Sequence, residues 1–148
     1  MSNPAPNAVY GYARTSRPAE DLSLDDLVAP KILRIRKHAD ESEWPLAEIF
    51  VDRGISASIA WHERPQGRKL FARLQPGDAV IIARLDHCFR SADAALTTIA
   101  DFEARGIRLL TLDCGQELTK GAGGRKLITT ILAAIAEFER EVAIERDH

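Results

Sequence analysis

The run Ala79-Val-Ile-Ile-Ala83 is apolar on both faces of an extended strand, and it constrains the fold more than any other stretch. Side chains alternate across a strand, so a segment that is apolar at every position must be covered on both sides. A central parallel strand with a helix layer on each face meets that demand. The turn Gln75-Pro76-Gly77-Asp78 leads into the run. The polar stretch Arg84 to Arg90 leads out of it.

Strand and helix patterns alternate on either side. Val9 to Ser16 reads as a first strand. Its alternation puts Tyr10, Tyr12, Arg14 and Ser16 on one face. Val9, Gly11, Ala13 and Thr15 form the other face, which is small and mostly apolar and suited to lying under a helix. A helix follows, with Ser23 as N-cap and Leu22, Leu24, Leu27, Val28, Ile32 and Ile35 at helical spacing. Pro30 inside this pattern predicts a kink or a restart. Leu46 to Val51 reads as a second strand, and Ile55 to Glu63 as a loop. Arg64-Pro65 opens a short helix in which Leu70, Phe71 and Leu74 face the core. Ser91 caps another helix, with Ala92, Ala95, Leu96, Ile99 and Phe102 on its apolar face and Gly106 at its end. Ile107 to Leu112 is a further strand, and Gly115 to Gly124 a glycine-rich loop. A long helix is predicted from about Arg125 to Arg146, with an apolar stripe running from Leu127 to Val142. The expected class is therefore α/β, a mainly parallel central sheet flanked by helices.

A chain of 148 residues that is 45% hydrophobic can build one real core. Its net charge of −2 excludes a nucleic-acid coat that works by bulk charge. Fifteen of the 20 basic residues are arginine, which favours forked contact with phosphate or carboxylate. Lys31, Arg34, Arg36, Lys37 and His38 cluster on the first helix, as a solvated face or one turned to DNA. Cys88 and Cys114 are too few for a zinc knuckle and read as reduced thiols. No apolar run reaches membrane-spanning length, and residues 1–8 read as a disordered tail, not a signal peptide. A cytoplasmic location is expected.

In parallel sheets, ligands sit outside the carboxyl ends of the strands. Ser16, Asp52, Asp86 and Asp113 all fall at such ends. Three chemistries fit these residues. Asp86 and His87 could serve Ser16 as a triad, although sequence neighbours at a strand end point different ways. The three aspartates could hold magnesium for phosphoryl transfer. Alternatively Arg14, Arg64 and Arg90 make a cationic pocket that binds a phosphodiester and disperses its transition-state charge with no metal.

Five segments, in order, resemble the serine recombinases of the resolvase/invertase family. Tyr12-Ala13-Arg14-Thr15-Ser16 resembles the family's Tyr-Ala-Arg-Val-Ser signature. Asp52-Arg53-Gly54-Ile55-Ser56-Ala57 is similar to its Asp-x-x-x-Ser-Gly segment. Glu63-Arg64-Pro65-Gln66-Gly67 resembles its Arg-Pro helix start, and Leu85-Asp86-His87-Cys88-Phe89-Arg90-Ser91 its Leu-Asp-Arg-x-x-Arg-Ser motif. Phe138-Glu139-Arg140-Glu141, with Glu145-Arg146, resembles the Glu-Arg pairs of its final helix. The resemblance spans about Val9 to Arg146.

It implies that Ser16 attacks a DNA phosphodiester, forming a 5′-phosphoserine link and freeing a 3′-hydroxyl. Arg14, Arg64 and Arg90 would hold the scissile phosphate, and Asp86 would orient them or assist proton transfer. Tyr12, Asp52, His87 and Arg140 would support the pocket, with no metal and no cofactor. Residues 9–122 would be the catalytic core and 123–148 a dimerisation helix across the DNA minor groove, with no DNA-recognition domain after it. That helix could instead pack on its own sheet. The partners implied are DNA and a second copy of the chain, with a tetramer at synapsis, and no membrane.

Three positions depart from the family pattern. His87 stands where the motif has arginine, Glu20 where it has glutamine, and Ala57 where it has glycine. Histidine is mostly neutral near neutral pH, whereas arginine is always charged. A catalytically degenerate, DNA-associated module is the alternative these departures suggest.

Overall fold

The computed structural model describes residues 5–15, 24–89, 91–112 and 116–119, together with 133 and 137. Five strands form one sheet in the order β2-β1-β3-β4-β5. They are β1 (Val9–Thr15), β2 (Leu46–Arg53), β3 (Ala79–Ile82), β4 (Arg108–Thr111) and β5 (Gln116–Glu117). The first four are mutually parallel, and β5 pairs antiparallel with β4. The α/β reading therefore holds, and β3 is an interior strand buried at every residue. The stretch read as a glycine-rich loop begins with β5. Its edge pairing is a tertiary contact with Leu110 and Thr111 that local pattern does not encode.

Among the described residues, four helices cover the sheet: α1 (Leu24–Glu41), α2 (Pro65–Arg73), α3 (Leu85–Cys88) and α4 (Ala92–Arg105). The alternation of the strands decides which face each one covers. Val9, Ala79, Ile81 and Leu110 cluster with Ile35 and Ala39 of α1 on one face. Tyr10, Tyr12, Val80, Ile82 and Leu109 cluster with Leu70 of α2 and with Ala95, Ile99 and Phe102 of α4 on the other. Gly11 lets α1 approach closely, because a Cβ there would lie 2.8 Å from Ile35 Cγ2. The small face of β1 thus lies under a helix, as its composition predicts.

One local expectation narrows and another changes. The first helix runs through Pro30 without restarting. The missing N–H forfeits one helical bond, and burial of Val28, Ile35 and Ala39 on the sheet offsets it. Leu96, placed on the apolar face of α4, is 41% exposed. The buried stripe is Ala95, Ile99 and Phe102, at spacings of four and three, and Leu96 is turned one position away from it. The caps of α4 hold: Ser91 Oγ accepts from Ala94 N at 3.1 Å, and Gly106 ends the helix in the left-handed region.

Ala133 and Glu137 are helical and exposed; the rest of the expected long helix, with its apolar stripe and Arg140, lies outside the described residues. No helix among the described residues is long and apolar enough to cross a membrane.

Candidate active site

The parallel register brings the carboxyl ends of β1 and β2 side by side, with Arg14 opposite Asp52 and Thr15 opposite Arg53. The chain leaving β2 is then stitched back to β1. Ile55 N donates to Thr15 O at 3.2 Å, and Arg14 Nη1 donates to Ile55 O at 2.7 Å. Lys31 Nζ, from α1, donates to the Arg14 carbonyl at 3.4 Å. Arg14 is buried along its length, so its guanidinium is held from below at the edge where the ligand rule places chemistry.

Arg64 lies deeper and is 0% exposed. Its Nε donates to Ile59 O at 2.9 Å, and its Nη2 donates to Ala57 O at 3.4 Å and to Cys88 O at 3.1 Å. Its Nη1 donates to Tyr12 Oη at 3.2 Å. The two arginines thus grip alternate carbonyls of one loop, at residues 55, 57 and 59, and Arg64 ties that loop to α3. A charge taken fully out of water needs this many partners to be tolerated. The Arg64 side chain is enclosed by protein and holds backbone in place.

The buried carboxylate of the site is Asp52, which is 2% exposed. Tyr12 Oη donates to Asp52 Oδ2 at 2.8 Å. Gln66 N donates to Oδ1 at 2.8 Å and Gly67 N to Oδ2 at 3.0 Å. Those amides are at the start of α2, directly after Pro65, so a carboxylate from β2 caps a helix that Arg64 itself does not cap. Asp52 lies within β2 and turns its oxygens to protein donors, not outward to a metal. Tyr12 therefore bridges a buried carboxylate and a buried guanidinium. Burial raises the ionisation of its hydroxyl far above the ordinary tyrosine value, and the nearness of Cys88 adds to the rise. The phenol stays protonated and remains a donor to Asp52.

Two residues that complete this arrangement carried no signal in the pattern reading. Trp61 sits in the stretch read as a loop, within a single 3-10 turn over Trp61–Glu63, and is 3% exposed. Its ring packs on Tyr12 at 5.0 Å, Phe71 at 5.1 Å, Phe89 at 5.8 Å and Phe102 at 5.9 Å between centroids. Gly67 passes so close beneath it that a Cβ would lie 2.0 Å from Trp61 O. A tryptophan just before Arg-Pro in a polar stretch was the available clue, since so large an apolar ring is rarely left in water.

Of the sequence-predicted residues, Tyr12, Arg14, Asp52 and Arg64 come together at one end of the sheet. The backbones of Asp86 and His87 lie in α3, whose Cys88 carbonyl Arg64 holds; their side chains lie outside the described residues. So do Ser16, Glu20, Arg90, Asp113 and Arg140. The triad and magnesium readings both depend on those positions.

Residues 9–148 match the family model described as "Resolvase, N terminal domain". The serine recombinase PinR of Escherichia coli (strain K12) is 36% identical over 100 residues, which cover 67% of this chain and 50% of PinR. A resolvase/recombinase of Pseudomonas putida is 31% identical over 141 residues, 93% of this chain and 68% of that protein. The crystal structure of the N-terminal catalytic domain of TP901-1 integrase superposes with a TM-score of 0.63 at 29% identity, covering 92% of this chain and 98% of that one. The chain spans about half the length of the first curated relatives it matches.

Proposed function

This chain belongs to the resolvase family through its N-terminal domain, and from that premise we propose that it is the catalytic domain of a serine site-specific recombinase acting on DNA. Ser16 Oγ attacks the phosphorus of a phosphodiester and loses its proton. A phosphorus–Oγ bond forms, the bond to the 3′ oxygen breaks, and the leaving 3′ oxygen takes up a proton. The product is a 5′-phosphoserine and a free 3′-hydroxyl. Attack by a 3′-hydroxyl on the phosphoserine runs the same exchange backwards and reseals a strand. One phosphoester replaces another at each step, so the cycle needs no nucleotide to drive it.

The observation that carries this reading is the clasped edge beside Thr15. Ser16 follows directly from a strand end that Arg14, Ile55 and Lys31 tie down. A nucleophile held on a rigid element gains from orientation alone. Arg14 and Arg90 disperse charge on the phosphate, with Asp86 orienting them. Tyr12, Asp52 and Arg64 are positioning residues, because Arg64 is spent on the backbone of the loop and of α3. Arg140 supports the pocket from the final helix. That helix joins two copies of the chain into a dimer, which becomes a tetramer when two DNA sites meet. Light scattering at micromolar concentration that gives a monomer mass would refute the dimer.

The test joins this chain to a sequence-specific DNA-binding module and adds duplex carrying two copies of its target around a spacer. A denaturant-resistant protein–DNA adduct that disappears with Ser16→Ala is the expected result. His87 bears on its yield. Loss of one charge-stabilising donor costs about 3–4 kcal/mol at a transition state, so His87→Arg raises the adduct yield. An adduct seen only with His87→Arg would mean the fold is kept and the chemistry silenced. An adduct that survives Ser16→Ala would refute the assignment of the nucleophile.

A further inference from the structure

Helix α1 packs on β1 and β2, and β2 is the outer strand of the sheet. A trough of about 590 Å³ remains there. Ile49 and Val51 contribute apolar surface to it, at the two-residue spacing of a strand face. Arg53, the next residue in that alternation, and Arg36 of α1 supply two guanidinium groups, and Gln66 from the start of α2 adds an amide. Both arginines are exposed. The carboxylate at the trough, Glu48, is already held by Arg73 Nη1 at 2.5 Å. Among the described residues, the balance left over is two guanidinium groups with no carboxylate partner in one concave strip, on a chain whose net charge is −2.

We propose that this trough binds the sugar–phosphate backbone of DNA alongside the phosphate that Ser16 attacks. The inference rests on the recombinase reading for its ligand, and it extends the DNA track to a surface outside the catalytic pocket. Arginine forks match phosphate oxygens two at a time, and backbone contacts of this kind fix register without reading sequence. Continuity with the pocket comes from the ladder: Arg53 is the register partner of Thr15, the residue before Ser16. Neighbouring strands lie about 4.8 Å apart. Backbone leaving the pocket on this side therefore passes Arg53 and enters the trough that Arg36 also lines.

The test measures binding of the whole chain to a short fluorescent duplex over a series of salt concentrations. Each phosphate neutralised by a cation contributes about 0.9 to the slope of log K against log salt. Arg36→Gln and Arg53→Gln should each lower that slope by about 0.9, and together by about 1.8. Arg34→Gln, exposed on the same helix but outside the trough, should leave it unchanged. Thermal unfolding of the same proteins should not move, since both side chains are at the surface. An unchanged slope in the double variant would overturn the proposal. So would an equal drop with Arg34→Gln, which would mean a diffuse field, or the absence of wild-type binding at low salt. Inorganic phosphate that binds wild type but not the double variant, while the DNA slopes stay equal, would overturn it in favour of a free-anion site. Binding does not require cleavage, so the two readings fail separately. A missing Ser16 adduct with a lowered slope leaves the trough standing, and an adduct with an unchanged slope removes the trough alone.

Discussion

The two faces of the sheet are built from alternate residues of the same strands and solve different problems. Under α1 the contact is aliphatic: Val9, Ile81 and Leu110 meet Ile35 and Ala39. Under α2, α3 and α4 an aromatic cluster around Trp61 encloses a polar network of Tyr12, Asp52 and Arg64. The aliphatic face stabilises through area removed from water, and it tolerates any side chains of suitable volume. The polar face places specific atoms. Its buried charges are costly unless every partner is present, and the partners they choose are the backbones leading to the candidate site. The lesson is that burial alone stabilises either face, while only the polar one has a geometry that function can use.

The largest effect on the polar face is expected from Asp52→Ala. It strips two amides of α2 and the Tyr12 hydroxyl of their acceptor. Each buried donor left without its acceptor costs about 1–3 kcal/mol. Denaturant titration should show that loss, and a change below about 1 kcal/mol would mean water enters the network freely. Tyr12→Phe is milder, about 1–3 kcal/mol for a bond to charged groups. It also carries a pH signature. The folded phenol ionises well above its ordinary value of 10.0, so the folded state keeps a proton that the unfolded chain releases. The stability Tyr12 contributes is fully present below pH 10 and is lost as pH rises above it. Tyr12→Phe should flatten that alkaline decline.

On the aliphatic face, Ile35→Val should cost about 1 kcal/mol and leave the adduct yield per folded molecule unchanged. A fall in yield out of proportion to stability would blur the distinction between the faces. Smallest of all is Arg73→Ala. Its ion pair with Glu48 is about half exposed on both sides, and such pairs are worth at most about 0.5–1 kcal/mol. Thermal unfolding should barely register it.

The periodic parts of the molecule were legible in the sequence, and the long-range parts were not. β3 declared itself through five apolar residues in a row, and α4 through Ser91 at one end and Gly106 at the other. The small face of β1 foretold the close approach of α1. The cap on α2 was hidden because its donor and acceptor are 14 residues apart and belong to different elements. Arg64 was recognisable as important from its motif, but a motif does not say whether a guanidinium faces solvent or backbone. Trp61 fell in a segment without period, where burial is decided by Phe71, Phe89 and Phe102 arriving from three other places.

The central claim is that the edge held by this network presents Ser16 to a phosphodiester. The most direct measurement is mass spectrometry of the covalent adduct after nuclease trimming and trypsin digestion. The expected result is a nucleotide-bearing phosphate on the peptide spanning residues 15–31, localised to Ser16. An adduct carried by any other residue, Thr15 and the tyrosines included, would contradict it.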